Sequence, residues 1–104
     1  MAWDYYDSGA LDEITLGRNR SSYDRMALVP RMLRDVARRD ASTCVLGNPL
    51  AAPLMVAPMA FQQLAHEVGE GGTAQAVSDL GLGMVLSTLS TIDGETVRRQ
   101  AQNQ

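Results

Sequence analysis

At 104 residues, 45% hydrophobic and 20% charged, the sequence has room for one domain with a modest core. Its net charge of −3, with no basic tail, argues against nucleic acid or an anionic membrane surface as a partner. All nine basic residues are arginine, which excludes a lysine Schiff base or Walker lysine here, and the single cysteine, Cys44, excludes an internal disulfide framework.

In chain order, Met1 to Tyr6 reads as the end of a helix, with Gly9 supplying its stop. Asp12 is suited to cap a second helix through roughly Met26. Ile14, Tyr23 and Met26 are among its apolar contacts, and Arg18, Arg20 and Arg25 lie on its polar side. Pro30 breaks that pattern, and residues 31–39 form a mixed charged stretch ending at Asp40. Ser42 to Gly47 has the composition of a short strand, in which Cys44 reads as a buried residue. Asn48 and Pro49 make the following turn, and Pro53 introduces a second strand.

The most informative stretch begins there. A short apolar run, Leu54 to Ala57, stops at Pro58, and after a small-residue loop a helical pattern runs from about Glu67 to Leu80. Gly69, Gly72, Thr73, Ala76, Val77 and Leu80 recur at spacings of three and four, which predicts a small-residue face that approaches a sheet closely. Gly71 and Gly72 each cost this helix ~1 kcal/mol relative to alanine, so it depends on packing. Gly81 is a natural C-terminal cap, Gly83 admits the next strand, and Met84 to Leu86 is a second apolar run. Thr91 or Asp93 then caps a last helix through about Gln102, with Glu95 near its positive end.

Strand, loop, helix and strand in that order make a βαβ unit of a parallel sheet. Ligands in such sheets lie beyond the carboxyl ends of the strands, so Pro58, Met59, Ala60, Ser87 and Thr88 are where chemistry is to be sought. Other candidates are weaker. His66 is the only histidine, but its place at a helix start suits a capping or structural role better than catalysis. Gly69-x-Gly71-Gly72 lacks the Gly-Lys-Ser/Thr continuation of a phosphate loop. No apolar run approaches the ~18 residues of a membrane span and no signal-peptide pattern opens the chain, so a cytoplasmic protein is expected, with peripheral attachment to the inner membrane left open.

Several ordered blocks carry a resemblance: Asp4-Tyr5-Tyr6-x-Ser8-Gly9-Ala10-x-Asp12-Glu13-x-Thr15-Leu16, Asn19-Arg20, Pro30-Arg31-x-Leu33-Arg34-Asp35-Val36, and Leu46-Gly47. Ala57-Pro58-Met59-Ala60, Leu64-Ala65-His66, Gly69-Glu70 and Leu86-Ser87-Thr88 continue it in order. The chain resembles, over essentially its whole length, the opening of the FMN-dependent α-hydroxy-acid dehydrogenases and oxidases, which include glycolate oxidase, lactate oxidase and mandelate dehydrogenase.

The resemblance implies an α/β fold. Residues 1–104 are then the truncated N-terminal part of a TIM (β/α)8 barrel, its first two β/α units preceded by helices and a short strand. It implies an FMN cofactor, a small 2-hydroxy acid as substrate, and oxygen, a quinone or a cytochrome as electron acceptor, with the full-length protein a homo-oligomer. Residue by residue, it gives Tyr5 to the substrate carboxylate, Pro58, Met59 and Ala60 to the face of the flavin ring, and Ser87 to a flavin hydrogen bond. Taken singly, each has a plainer role: a half-buried packing tyrosine, a strand terminator, a strand-end hydroxyl. The family's Ser-Asn-His-Gly-x-Arg stretch, with its histidine base and arginine clamp, is absent, and so is its flavin-balancing lysine. Glu67 replaces the proline often found after the histidine, and Gly71-Gly72 interrupt a helix usually richer in alanine. The segment alone is therefore expected to be inactive. Two alternatives remain: a non-redox flavin barrel such as type 2 isopentenyl diphosphate isomerase, against which the Tyr-Tyr-x-Ser-Gly-Ala block argues, and a truncated product without catalysis.

Overall fold

The computed structural model describes residues 2–102, so Met1, expected within the first helix, lies outside the described residues. The chain divides into two compact units, residues 1–38 and 39–104.

The first unit contains helix α1, Ala2–Asp7, helix α2, Ile14–Ser21, and a 3-10 turn, Tyr23–Arg25. None of these elements has a buried residue. Two expectations change here. The residue preceding α2 is Glu13, in a left-handed conformation at φ 56°, rather than Asp12. Its carboxylate reaches back to accept the Gly9 N–H at 3.0 Å, so it holds the preceding loop and does not cap the helix. Nor does the helix run to Met26; it ends at Ser21, and Ile14, Tyr23 and Met26 are exposed rather than packed. With two arginines and no apolar stripe, Ile14–Ser21 has no face to bury.

The second unit opens with a hairpin, β1 (Thr43–Val45) antiparallel to β2 (Asn48–Leu50). Sequence reasoning expected one strand and a turn at Asn48-Pro49. The turn is instead Leu46-Gly47, with φ of 50° and 82°. Two successive left-handed residues match the right-handed twist of the flanking strands, and glycine adopts the second without strain. The Asn48 amide secures the turn by donating to the Val45 carbonyl at 3.5 Å and the Leu46 carbonyl at 3.3 Å. Cys44 is exposed in β1, not buried, because only one face of the two-stranded ribbon is covered.

The hairpin leads into β3, Met55–Val56, which pairs in parallel with β4, Gly83–Met84, through Met55↔Gly83 and Val56↔Met84. Helix α3, Gly69–Asp79, connects them after a 3-10 turn over Gln62–Leu64. The expected βαβ unit is therefore present, with shorter strands. The Ala51 N–H donates to the Gly81 carbonyl at 2.8 Å, tying the hairpin's exit to the end of α3. Gly81, at φ 63°, ends the helix as predicted: its N–H meets the Ser78 carbonyl and the Leu82 N–H meets that of Val77, both at 2.9 Å.

Helix α4, Gly94–Gln102, packs against α3. Asp93 caps it, accepting the Thr96 N–H at 2.9 Å, and the Ser78 hydroxyl joins the two helices by donating to the Ala101 carbonyl at 3.2 Å. The α3 face that this packing buries differs from the expected stripe: Glu70, Gly71, Ala74 and Val77 are buried, whereas Leu80 is 65% exposed. The closest approach to a helix glycine comes from α4 and not from a sheet, since a Cβ on Gly71 would lie 1.9 Å from the Gln100 side-chain oxygen. Leu50, Ala60, Ala74, Val77 and Val97 make the small core.

Candidate functional site

Parallel pairing of β3 and β4 fixes where their carboxyl ends lie. Val56 pairs with Met84, and the Val85 N–H donates to the Val56 carbonyl at 3.0 Å, so both strands emerge at one end. Pro58, Met59 and Ala60 follow β3 there, and Ser87 follows β4. The structure thus brings these four sequence-selected residues to one rim. Pro58 and Met59 are exposed, Ala60 is buried within the chain, and Ser87 is half-buried. The Ser87 Oγ accepts the Leu89 N–H at 3.1 Å. That bond uses a lone pair and leaves the hydroxyl proton to be donated. Tyr5 belongs to the first unit. It lies on α1, about half exposed, with its ring edge-to-face on Tyr6 at a centroid distance of 5.1 Å and 78° between planes.

The residue that organises the rim is one that sequence reasoning passed over. Glu70, in the first turn of α3, is fully buried. Its Oε1 accepts the Thr91 N–H at 2.8 Å and the Gln62 N–H at 3.3 Å, and its Oε2 accepts the Thr91 hydroxyl at 2.6 Å. Thr91 therefore does not cap α4, one of its two expected options; it serves the carboxylate and accepts the Gln63 N–H at 3.3 Å. Gln62, itself buried, takes a 2.6 Å bond from the Thr73 hydroxyl and donates to the Met59 carbonyl at 3.5 Å. Burial pushes the Glu70 pKa up, but the Thr91 hydroxyl and the Thr91 and Gln62 backbone N–H groups together outweigh it, so the pKa lies below its ordinary value. Each hydrogen bond to a charged group contributes roughly 1.5–3 kcal/mol, and the network as a whole stabilises the ionised form. The signal was present in the sequence. Glu70, Ala74 and Val77 are spaced by four and three, which puts a carboxylate in the register of apolar residues.

Phe61 was also missed. It follows Ala60 in a left-handed conformation, φ 55° and ψ 39°, which a bulky residue adopts at a cost of roughly 1–2 kcal/mol. Its N–H donates to the Leu89 carbonyl at 3.1 Å, a second link between the loop after β3 and the loop after β4. His66 does not cap α3, whose N-terminal flanking residue Val68 has no side-chain cap bond, and its role is the structural one of holding a turn. Its Nδ1 accepts the Val68 N–H at 3.3 Å in the turn leading to α3. Among the described residues, no three His, Cys, Asp or Glu side chains are grouped to hold a metal ion, and no helix is long and apolar enough to cross a membrane.

A family model described as FMN-dependent dehydrogenase matches residues 1–104. The chain belongs to this family of flavin enzymes. It is 59% identical over 97 residues to an L-lactate oxidase of Nostoc sp., and 47% identical over 97 residues to glycolate oxidase 1 of Zea mays. Each alignment covers 93% of this chain but only 27% and 26% of the relative, so the chain spans about a quarter of the length of the curated relatives it matches. Among solved structures, a mandelate oxidase variant carrying a monooxide FMN adduct matches 94% of this chain and 31% of its own, with 34% identity and a TM-score of 0.88. The fold described above is part of the TIM-barrel fold of these oxidases, and FMN is the family's cofactor. The rim suits a flavin: Ser87 offers a neutral hydroxyl with a proton to donate, and Pro58 and Met59 are exposed at the same end of the strands.

Proposed function

We propose that this chain forms the first two β/α units of an FMN-dependent oxidoreductase that converts an L-2-hydroxy acid of the lactate, glycolate or mandelate type to the 2-oxo acid. The observation that carries the reading is the parallel β3–β4 pair, which gathers Pro58, Met59, Ala60 and Ser87 at the carboxyl end of the strands. Residues 1–104 are then the N-terminal part of one FMN hydroxy-acid dehydrogenase domain.

In this reading Pro58, Met59 and Ala60 border the flavin ring, and the Ser87 hydroxyl donates a hydrogen bond to a ring heteroatom. Tyr5 orients the substrate through a hydrogen bond from its phenol to the carboxylate. Bound FMN supplies the two-electron acceptor for oxidation of the α-carbon. The proton-abstracting base lies outside these residues, since His66 is occupied by the turn before α3. Re-oxidation by oxygen, a quinone or a cytochrome, homo-oligomerisation and a cytoplasmic location complete the proposal.

The test follows from the chain's share of the fold. A TIM barrel takes ~250 residues to close, and an unclosed sheet leaves strand edges unpaired. The 104-residue chain alone is therefore expected neither to hold FMN tightly nor to oxidise lactate, glycolate or mandelate with an artificial electron acceptor. Flavin fluorescence titration and a dye-reduction assay measure both. Flavin binding at ~1 μM together with turnover would overturn the assignment, because it requires a self-contained site.

A further inference from the structure

Two loops leave the carboxyl ends of the paired strands β3 and β4, and one backbone bond, from the Phe61 N–H to the Leu89 carbonyl at 3.1 Å, joins them directly. Both are connected to one buried atom group. Glu70 Oε1 accepts a backbone N–H from each loop, Gln62 from the first and Thr91 from the second. Its Oε2 takes the Thr91 hydroxyl, and that same hydroxyl oxygen accepts the Gln63 N–H of the first loop. From Gln62 the chain of bonds continues to the Met59 carbonyl, within the segment assigned to the flavin face. The Glu70 carboxylate serves all of these donors at once, from its place in the first turn of α3.

We propose that Glu70 is a positioning residue for the flavin: its buried carboxylate locks the Pro58-to-Gln62 loop against the Ser87-to-Thr91 loop, and so sets where Met59, Ala60 and Ser87 meet the ring. The proposal rests on the flavin reading of this rim and deepens it. Glu70 touches neither ring nor substrate; it acts through Gln62 and Thr91. Backbone strain at Phe61 fits the same role, because a left-handed phenylalanine between Ala60 and Gln62 persists only where neighbours hold it. The lowered pKa of Glu70 agrees, since a carboxylate that stays ionised keeps every acceptor site open.

The experiment uses the flavin-loaded enzyme that carries this segment, with Glu70→Gln, Glu70→Ala and Thr91→Val compared for FMN Kd, visible flavin absorption and circular dichroism, and Tm. The Gln62 and Thr91 N–H groups can still meet the amide oxygen in Glu70→Gln, and its NH2 can donate to the Thr91 hydroxyl oxygen. It is expected to keep the wild-type flavin spectrum and an FMN Kd within about threefold. Glu70→Ala is expected to shift the visible spectrum and raise the Kd about tenfold or more, with Thr91→Val moving both in the same direction by less. A Glu70→Ala protein that melts early but keeps the wild-type spectrum and Kd overturns the proposal, leaving Glu70 a structural residue. Glu70→Gln behaving like Glu70→Ala overturns it too, since geometry without charge then does not suffice. Should Glu70→Ala fail to fold, Thr91→Val decides, and a wild-type spectrum and Kd in that variant refute the lock. An unsubstituted enzyme that binds no FMN would remove the flavin reading itself, an outcome distinct from any difference among the variants.

Discussion

The two units of this chain use similar proportions of apolar sequence in opposite ways. Residues 1–38 contain Leu28, Val29, Met32 and Leu33, which are 100%, 87%, 81% and 105% exposed. Residues 39–104 bury Leu50, Ala60, Ala74, Val77 and Val97 around a carboxylate that has no exposed surface. The contrast teaches that hydrophobic content does not create a core; periodicity does. In α3 and α4 apolar residues recur on one helical face and find each other, whereas 26–36 is an apolar run broken by Pro30 and arginines, with no regular face to present. Stability within this chain should accordingly reside in the second unit.

The largest break of that contrast is a charge in the core. Val77→Asp places a carboxylate in the buried seam between α3 and α4, a largely apolar cavity that Arg98 also lines, and is expected to cost about 2–4 kcal/mol. Urea denaturation followed by circular dichroism measures it. A loss below about 1 kcal/mol would mean the helix pair is not a packed unit.

Acid should act on the second unit first, through Glu70. Its folded pKa is lowered, so its contribution is complete above the ordinary value of 4.5 and is lost as pH falls through the lower folded value. The urea midpoint is expected to hold from neutral pH to the ordinary glutamate range and to drop below it. The drop should be smaller in Glu70→Gln, which has no proton to gain. Equal acid lability in the two proteins would shift the effect to other carboxylates, such as Asp93, whose pKa is lowered by its bonds to Thr96.

How much of this was legible in the sequence follows the same division. The parallel β3–β4 pair, the helix between them, its stop at Gly81 and the shared rim of Pro58 and Ser87 could all be read, because local rules and tertiary packing agree there. The hairpin could not: Leu46 adopts a left-handed φ that composition does not favour, and Asn48, a usual turn former, pairs instead as the first residue of β2. The buried face of α3 shares only Val77 with the expected stripe, because alanine and glycine fit a stripe at several angles and packing against α4 selects among them. The burial of Glu70 was legible in its register with Ala74 and Val77, but a charged residue in a helix's first turn is ordinarily assigned to the dipole, and which donors it serves is set by the tertiary placement of Gln62 and Thr91.

A smaller effect is expected at the end of α3. Gly81 has a positive φ of 63°, and a Cβ there would lie 3.2 Å from that of Ala51. Gly81→Ala therefore combines left-handed strain with a tight contact at the point where the hairpin joins the helix, and should destabilise by about 1–2 kcal/mol. Gly17, inside α2, would meet nothing within 4 Å, so Gly17→Ala is expected to be neutral or slightly stabilising, by up to ~1 kcal/mol. Equal responses at the two glycines, by the same denaturation assay, would erase the distinction between the units.

The smallest effect should come from the most apolar surface. Leu28 and Leu33 are fully exposed, and neither unit-one helix buries a residue against which they could pack. Leu28→Ser and Leu33→Ser in the 104-residue chain remove no buried area, so each should change the unfolding free energy by no more than ~0.5 kcal/mol. Leu33 sharpens the comparison, because its φ of 57° already strains a branched side chain, and Leu33→Asn, a residue that tolerates the left-handed region, should be slightly stabilising. Chemical denaturation of the three variants beside wild type gives the answer. A loss above ~2 kcal/mol at either leucine, in a chain whose second unit is untouched, would mean that these side chains are covered after all, and that the first unit owes its order to burial rather than to the local hydrogen bonds of Glu13, Ser22 and Asp35.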